Sequence, residues 1–244
     1  GAVYFTVMIA AAQILARPPE GWKPDGFVPK AMAAGELTMP MAVRTRQFWL
    51  LWGMLFINIG AGISILAQAS PMMQDLFGKT PEQAATMVSI IAGFNAFGRI
   101  FWSSLSDRIG RKTVFMIFFA VQAGLFAAIP MLAHSGQWSL FQAAVVVIFT
   151  MYGGGFATIP AFLADLFGAR NVGAVHGVLL TAWSAAGVAG PILITRIREA
   201  RLASLPPGGS LVDLYEATLW IMAGALVIGL LLTLAVRPLR RGDS

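Results

Sequence analysis

The sequence predicts an all-α bundle embedded in a membrane, and three observations carry that prediction. Charged residues make up 11% of the chain against 57% hydrophobic, and the mean hydropathy is +0.74. A soluble domain carries about 25% charge. Six apolar runs are each long enough to cross a bilayer as a helix. The cations gather in the connections beside those runs rather than within them.

The elements follow in order. Residues 1–16 are apolar, have neither a basic leader nor a small-residue cleavage site, and fall short of the ~20 residues a span needs. They read as the end of a transmembrane helix belonging to a longer protein. Residues 17–47 hold five Lys/Arg, three Asp/Glu and five Pro. That composition predicts a linker, with a short helix near Lys30 to Leu37. Six spans are expected near Phe48–Ala69, Ala84–Leu105, Thr113–Ala133, Trp138–Ala164, Val172–Thr195 and Leu214–Val236, so the bundle occupies 48–236 and a basic tail 237–244. Glu216, at the start of the last, is the one Asp or Glu inside these spans. The linker, the connections after the second and fourth spans, and the tail together carry twelve Lys and Arg. The other side carries four: Lys79, Arg196, Arg198 and Arg201. This asymmetry puts linker and tail in the cytoplasm. Arg196, Arg198 and Arg201 are the exception, and Glu199 and Asp213 are their expected counter-charges.

Glycine and proline are concentrated in two spans. The fourth carries Gly153-Gly154-Gly155 and Pro160; the fifth carries Gly173, Gly177, Gly187, Gly190 and Pro191. Two readings stand: close static packing of helix backbones, or helices that bend during a working cycle.

Composition also excludes. The chain has no cysteine, so no disulfide and no thiolate metal site. Its two histidines, His134 and His176, do not make a zinc site by themselves. Met72-Met73 reads as packing, because no other soft ligands accompany it. The net charge of +6 belongs to membrane topology and not to nucleic-acid binding. No Ser/His/Asp set or intramembrane carboxylate pair points to an enzyme, and no cofactor is expected.

Arg99 is the sharpest functional clue. It is the only charge between Ala84 and Leu105. An arginine at mid-span costs about 2.5–3.5 kcal/mol even on the lenient insertion scale. A guanidinium facing a cavity and holding an anion offsets that cost. Asn95 lies one turn earlier on the same face. The alternatives are an ion pair with a part of the protein outside this chain, or snorkelling toward the cytoplasm. Asp107 is an awkward partner, about 12 Å further along the helix.

The connection between the second and third spans reads SSLSDRIGRK, Ser103 to Lys112. It resembles the signature loop of the major facilitator superfamily, G-x-L-a-D-R-x-G-R-[RK]. Leu105, Asp107, Arg108, Gly110, Arg111 and Lys112 match; Ser103 replaces the opening glycine, which is expected to loosen packing there. Gly110 suits a left-handed turn, Asp107 a cap or ion pair, and the cations the cytoplasmic headgroups. The resemblance implies the end of helix six, the central loop and helices seven to twelve of a twelve-helix fold.

Four further stretches narrow it: RPPEGWKP, ILAQASPMMQDLFG, FNAFGRIFWSSLSDRIGRK and PAFLADLFGARNVGAVHGVLLTAW. These resemble the oxalate/formate antiporter branch, related to monocarboxylate transporters. In that branch an arginine on helix eight binds the substrate carboxylate, with an asparagine one turn before it; Arg99 and Asn95 match. Oxalate-type members carry a lysine on helix eleven, where this chain has Trp183. One cation suits one carboxylate, so a monocarboxylate is favoured over a dianion. Trp183 is either a packing residue or a cavity wall.

Weaker candidates complete the set. Tyr152 stands beside the glycine run and reads as a substrate hydrogen-bond partner or an interfacial ring. Asn58 lines a cavity or makes an interhelical hydrogen bond. His176 is a packing histidine or a proton relay. Asp165 and Arg170 form a gating bridge or a solvated pair. The resulting expectation is secondary transport of small carboxylates by alternating access, as antiporter or proton symporter, in the cell (inner) membrane. Its partners would be lipid and an N-terminal six-helix half. The rivals are a dicarboxylate exchanger of oxalate/formate type and an anion-binding membrane receptor.

Overall fold

The computed structural model describes residues 2–14, 19, 37–204, 206 and 210–239. The first unit of the chain, residues 1–32, contributes one described helix, α1 (Ala2–Ile14), apolar and shorter than a membrane span. The expected helix near Lys30 lies outside the described residues. Leu37 is described. It is buried in coil, and its N–H donates to the Phe167 carbonyl at 3.0 Å.

The second unit, residues 33–244, is a helical bundle. A four-residue turn of helix, α2 (Met39–Ala42), leads to α3 (Arg46–Phe77), α4 (Pro81–Ile109), α5 (Arg111–His134), α6 (Trp138–Phe167), α7 (Val172–Leu179), α8 (Thr181–Ser204) and α9 (Asp213–Ala235). Among the described residues six helical segments are long and apolar enough to cross a membrane, with α7 and α8 together forming the fifth. Local chemistry sets their ends. The Thr45 hydroxyl accepts from the Phe48 N–H at the start of α3, and Thr80 with Gln83 forms a reciprocal capping box at the start of α4. Gly78 closes α3 in the left-handed conformation.

One expectation is corrected. The helices outrun the apolar stretches, and α3 continues through Pro71 to Phe77. Carboxylates therefore do lie within the helices: Asp75 in α3, Glu82 and Asp107 in α4, Asp165 in α6, Glu199 in α8, Asp213 and Glu216 in α9. A helix can extend past the hydrocarbon into the headgroup zone, where polar side chains are solvated. The fifth span is present as one membrane-length helix, Val172–Ser204. It tightens at Leu180, between α7 and α8, where the carbonyl accepts from both Trp183 and Ser184 and the backbone stays helical.

The core runs the length of the bundle and is rich in large rings. Phe115, Phe118 and Phe119 of α5 and Phe149 of α6 are fully buried, as are Met54, Leu55 and Ile59 of α3. Met72 and Met73 are core residues as well. The glycine run of α6 packs closely. A Cβ on Gly153 would strike the Asn95 carbonyl, and one on Gly98 of α4 would strike the backbone of Thr150. These two glycines let α4 and α6 touch backbone to backbone, the static-packing reading for this run. In α7 and α8 a Cβ on Gly173, Gly177 or Gly187 would meet nothing within 4 Å, so close packing is not what those glycines serve here.

Candidate functional site

Arg99 stands ten residues before the end of α4, about 15 Å along the helix axis. It is exposed, on a different side of α4 from the exposed rings of Phe97 and Phe101, which lie two residues to either side and point about 160° away from it. Its guanidinium carbon lies 5.5 Å over the ring of Phe156 on α6. Phe156 meets Trp183 of α8 edge-on at 5.7 Å and Tyr152, one turn earlier on α6, edge-on at 5.4 Å. Arg99 is near enough to Tyr152 to act on its phenol electrostatically. No carboxylate pairs with Arg99 among the described residues, so its donor fork is unspent.

The packing explains how these side chains are held. Gly62 of α3 has no side chain, and the Tyr152 ring fills the space. Asn95 lies against Gly153, which fixes the turn of α4 that also carries Arg99. The Trp52 indole N–H of α3 donates to the Thr181 hydroxyl at 2.9 Å and its ring stacks on Phe56, pinning the start of α8 two residues before Trp183.

Four residues picked out by sequence thus gather in one place: Arg99, Asn95, Tyr152 and Trp183. Phe156, which joins three of them, was missed; its signal was its position one helical turn beyond Tyr152. Asn58 does not join the group. It is fully buried, its side-chain carbonyl accepts from the Gln122 amide of α5 at 3.0 Å, and its own amide nitrogen lies over Gly155. Because Gly155 lacks a side chain, α6 closes over Asn58 and shuts it in. This is the interhelical hydrogen bond, not a cavity wall. His176 is half-buried near the end of α7, and its imidazole has no hydrogen-bond partner among the described residues.

The signature loop forms a second constellation, and here the expectation of cations turned to headgroups is corrected. Arg111 pairs with Asp107, accepts company from Asp165 of α6 at 3.5 Å, and donates to the Ser106 hydroxyl at 2.5 Å. Its side chain is only 12% exposed. Lys112 donates to the carbonyls of Leu234 and Val236, at 3.0 and 2.8 Å. It thereby closes the C-terminus of α9, where free carbonyls carry partial negative charge. Arg108 alone of the three stays exposed. Gly110 sits at φ +90°, ψ 147°, positive but outside the left-handed helical well; it ends α4 and starts α5 at one residue. The Ser103 hydroxyl turns back to the Ile100 carbonyl at 3.2 Å.

The Arg196–Arg201 cluster is also resolved differently. Arg198 lies 3.7 Å from Asp75 of α3, and not on Glu199 or Asp213. At the same end His134 Nε2 is 4.0 Å from Glu216.

Six membrane-length helices, with an unpaired arginine and a ring cluster on their open face, define a multi-pass membrane protein. Comparison with known proteins makes the class specific. Residues 1–191 match the Major Facilitator Superfamily. The chain is 34% identical over 158 residues to the oxalate:formate antiporter of Oxalobacter formigenes, covering 63% of this chain and 37% of that protein. It is 25% identical over 179 residues to an uncharacterized MFS-type transporter, YhjX, of Escherichia coli (strain K12), 73% of this chain and 43% of the other. It is 26% identical over 174 residues to apicoplast pyruvate carrier 1 of Toxoplasma gondii, 68% and 31%. The chain belongs to the Major Facilitator Superfamily, a family of transporters and not of enzymes. It spans 31% to 43% of the length of these relatives.

Proposed function

We propose that this chain is the C-terminal six-helix half of a secondary carrier that moves small carboxylates by alternating access. Residues 1–16 end helix six, 17–47 link the halves, 48–236 hold helices seven to twelve, and 237–244 form the tail. The carrier sits in the inner membrane with linker and tail cytoplasmic, and it works as an antiporter or proton symporter. The single observation that carries the reading is Arg99: a guanidinium on an open intramembrane face, beside Phe156, with no protein carboxylate to neutralise it among the described residues.

The chemistry follows from that side chain. A guanidinium holds a carboxylate through two parallel hydrogen bonds. Asn95 offers a neutral amide one turn away, and Tyr152 a phenol. Phe156 and Trp183 give the bound anion an apolar wall. With one cation in this half, a monocarboxylate is favoured. Asn58 and Gln122 serve behind the site, holding α3 and α5 beneath the α6 turn that carries Tyr152 and Phe156. Asp107, Arg111 and Asp165 tie α4 and α5 to the end of α6, a bridge placed to open and close with the cycle. His176 on α7 is the candidate proton carrier if transport is proton-linked. The exposed faces of α4 and α8 are where the N-terminal half would close the cavity.

A dicarboxylate exchanger is the second reading, favoured by the 34% identity to a protein named for oxalate and formate. Counterflow in liposomes containing the full-length carrier separates the two. Pyruvate or formate exchange exceeding oxalate exchange supports the first reading; the reverse supports the second. No counterflow with any small carboxylate rejects both.

A further inference from the structure

At the end of the bundle away from the signature loop, a cavity of about 230 Å³ opens between the first turns of α4 and α6. Lys79, Gln83, Thr86, Trp138 and Gln142 line it, over a floor of Met87 and Ile90. The Lys79 ammonium lies 4.6 Å over the Trp138 ring and has no carboxylate partner among the described residues. Gln142 makes only a weak contact to the Met87 sulfur, at 3.6 Å. Gln83 spends its carbonyl on the Thr80 N–H and keeps its amide donors. The Thr86 hydroxyl donates to the Glu82 carbonyl. The lining is therefore rich in unspent donors. Glu82, next in sequence to Gln83, is exposed and does not line the cavity.

Three placements define what can reach it. On a helix of 3.6 residues per turn, Gln83, Thr86 and Ile90 point about 140–180° away from Arg99, so the cavity lies off the face that carries the candidate site. The helices α4 and α6 have 29 and 30 residues. At 1.5 Å per residue they are about 45 Å long, against a hydrocarbon core of ~30 Å, which leaves their first turns at headgroup depth. Phe77, Trp138 and Phe141 cluster there, with ring centres 4.8 to 5.7 Å apart, in the manner of an interfacial aromatic belt.

We infer that this cavity is a binding site for an anionic phospholipid headgroup. The phosphate diester takes the Lys79 ammonium and the Gln83 and Gln142 amides. The glycerol end lies against Trp138, and the first acyl carbons run over Met87 and Ile90 toward the membrane interior. A soluble phosphate would use the donors but not the apolar floor, which is why a lipid is the fitting occupant. The inference stands on the α3–α4 connection and the first turns of α4 and α6, and does not depend on what Arg99 binds.

Native mass spectrometry of the full-length carrier, delipidated and titrated with phosphatidylglycerol, tests it. The unaltered protein is expected to retain one more phosphatidylglycerol than the Lys79→Ala variant at equal activation energy, with affinity at that site falling about five- to tenfold. Lys79→Arg should restore it. Gln142→Leu, which leaves every charge in place, should weaken the same lipid. Arg196→Ala removes an exposed cation at the same end but outside the cavity and should change nothing. Equal phosphatidylglycerol retention by Lys79→Ala and Gln142→Leu overturns the assignment. Displacement of the lipid by inorganic phosphate in the low millimolar range would mark a soluble-anion site and overturn it as well.

Discussion

Arg198 of α8 reaches Asp75 of α3 at 3.7 Å, and both meet Tyr215 of α9, whose hydroxyl donates to the same carboxylate at 2.5 Å. The guanidinium also lies 5.9 Å over the Tyr215 ring. Three helices are joined by three side chains at the end opposite the signature loop. The pair is partly exposed, 35% at Arg198 and 28% at Asp75, so solvent screens much of its Coulomb energy. Its value lies in satisfying a cation and a hydroxyl that the bundle has half enclosed.

Asp75→Asn should therefore destabilise the protein by about 1 kcal/mol, a fall of roughly 2–4 °C in Tm for a chain of this size. Adding Arg198→Gln should cost less than the sum of the two single changes, because the second change removes the charge that the first left unpaired. Thermal unfolding in detergent measures both. Strict additivity would show that the two side chains do not interact.

The contact between α4 and α6 makes a sharper demand. Gly98→Ala places a methyl group against the Thr150 backbone, which cannot swing aside as a side chain would. The expected cost is about 1–3 kcal/mol, with falling yield of folded protein. Gly187→Ala, where a Cβ meets nothing within 4 Å, should be tolerated. Size-exclusion profiles and Tm of the two variants give the comparison. Equal behaviour would show that α4 and α6 do not touch as described.

Lys112 closes the last turn of α9. Lys112→Met should fray that turn, at a cost of about 0.5–1 kcal/mol, and leave the rest of the helix intact. Hydrogen exchange reports it directly. Amides near Leu234 and Val236 should exchange faster, while those near Met222 should not change. Protection unaltered at Val236 would show that the lysine caps nothing.

What the sequence disclosed, and what it hid, follows from the physics of each signal. The six spans were legible because apolar runs of that length have few other uses. Their ends were not. Ser70-Pro71 looks like a boundary, yet α3 passes through it, and Gln74 turns back to donate to the Ser70 carbonyl and hydroxyl at 3.3 and 3.0 Å. The tightened turn at Leu180 has no Gly or Pro to announce it. Arg99 and Asn95 were legible because polar groups stand out against an apolar run, while Phe156 is one more ring among many. Asp75 was hidden because its partners lie far along the chain, and no periodicity links helices three, eight and nine.

Arg99 supports the most direct test of the proposed function. Lysine keeps the charge but lacks the planar fork. In the full-length carrier, Arg99→Lys should lose most uptake while insertion and yield stay near normal. Hydrogen bonds to charged groups contribute about 1.5–3 kcal/mol, which implies roughly a tenfold to hundredfold loss of affinity. Asn95→Ala removes a neutral amide and should cost less. Phe156→Leu removes the ring beneath the guanidinium, worth about 0.5–1 kcal/mol, and should weaken uptake only a few-fold. Trp183→Lys sets a second cation beside Phe156 and should raise oxalate uptake relative to formate. A substrate titration across the four variants reads these out together. Unchanged uptake by Arg99→Lys would remove the arginine from substrate binding and leave it as a structural ion pair with the rest of the carrier.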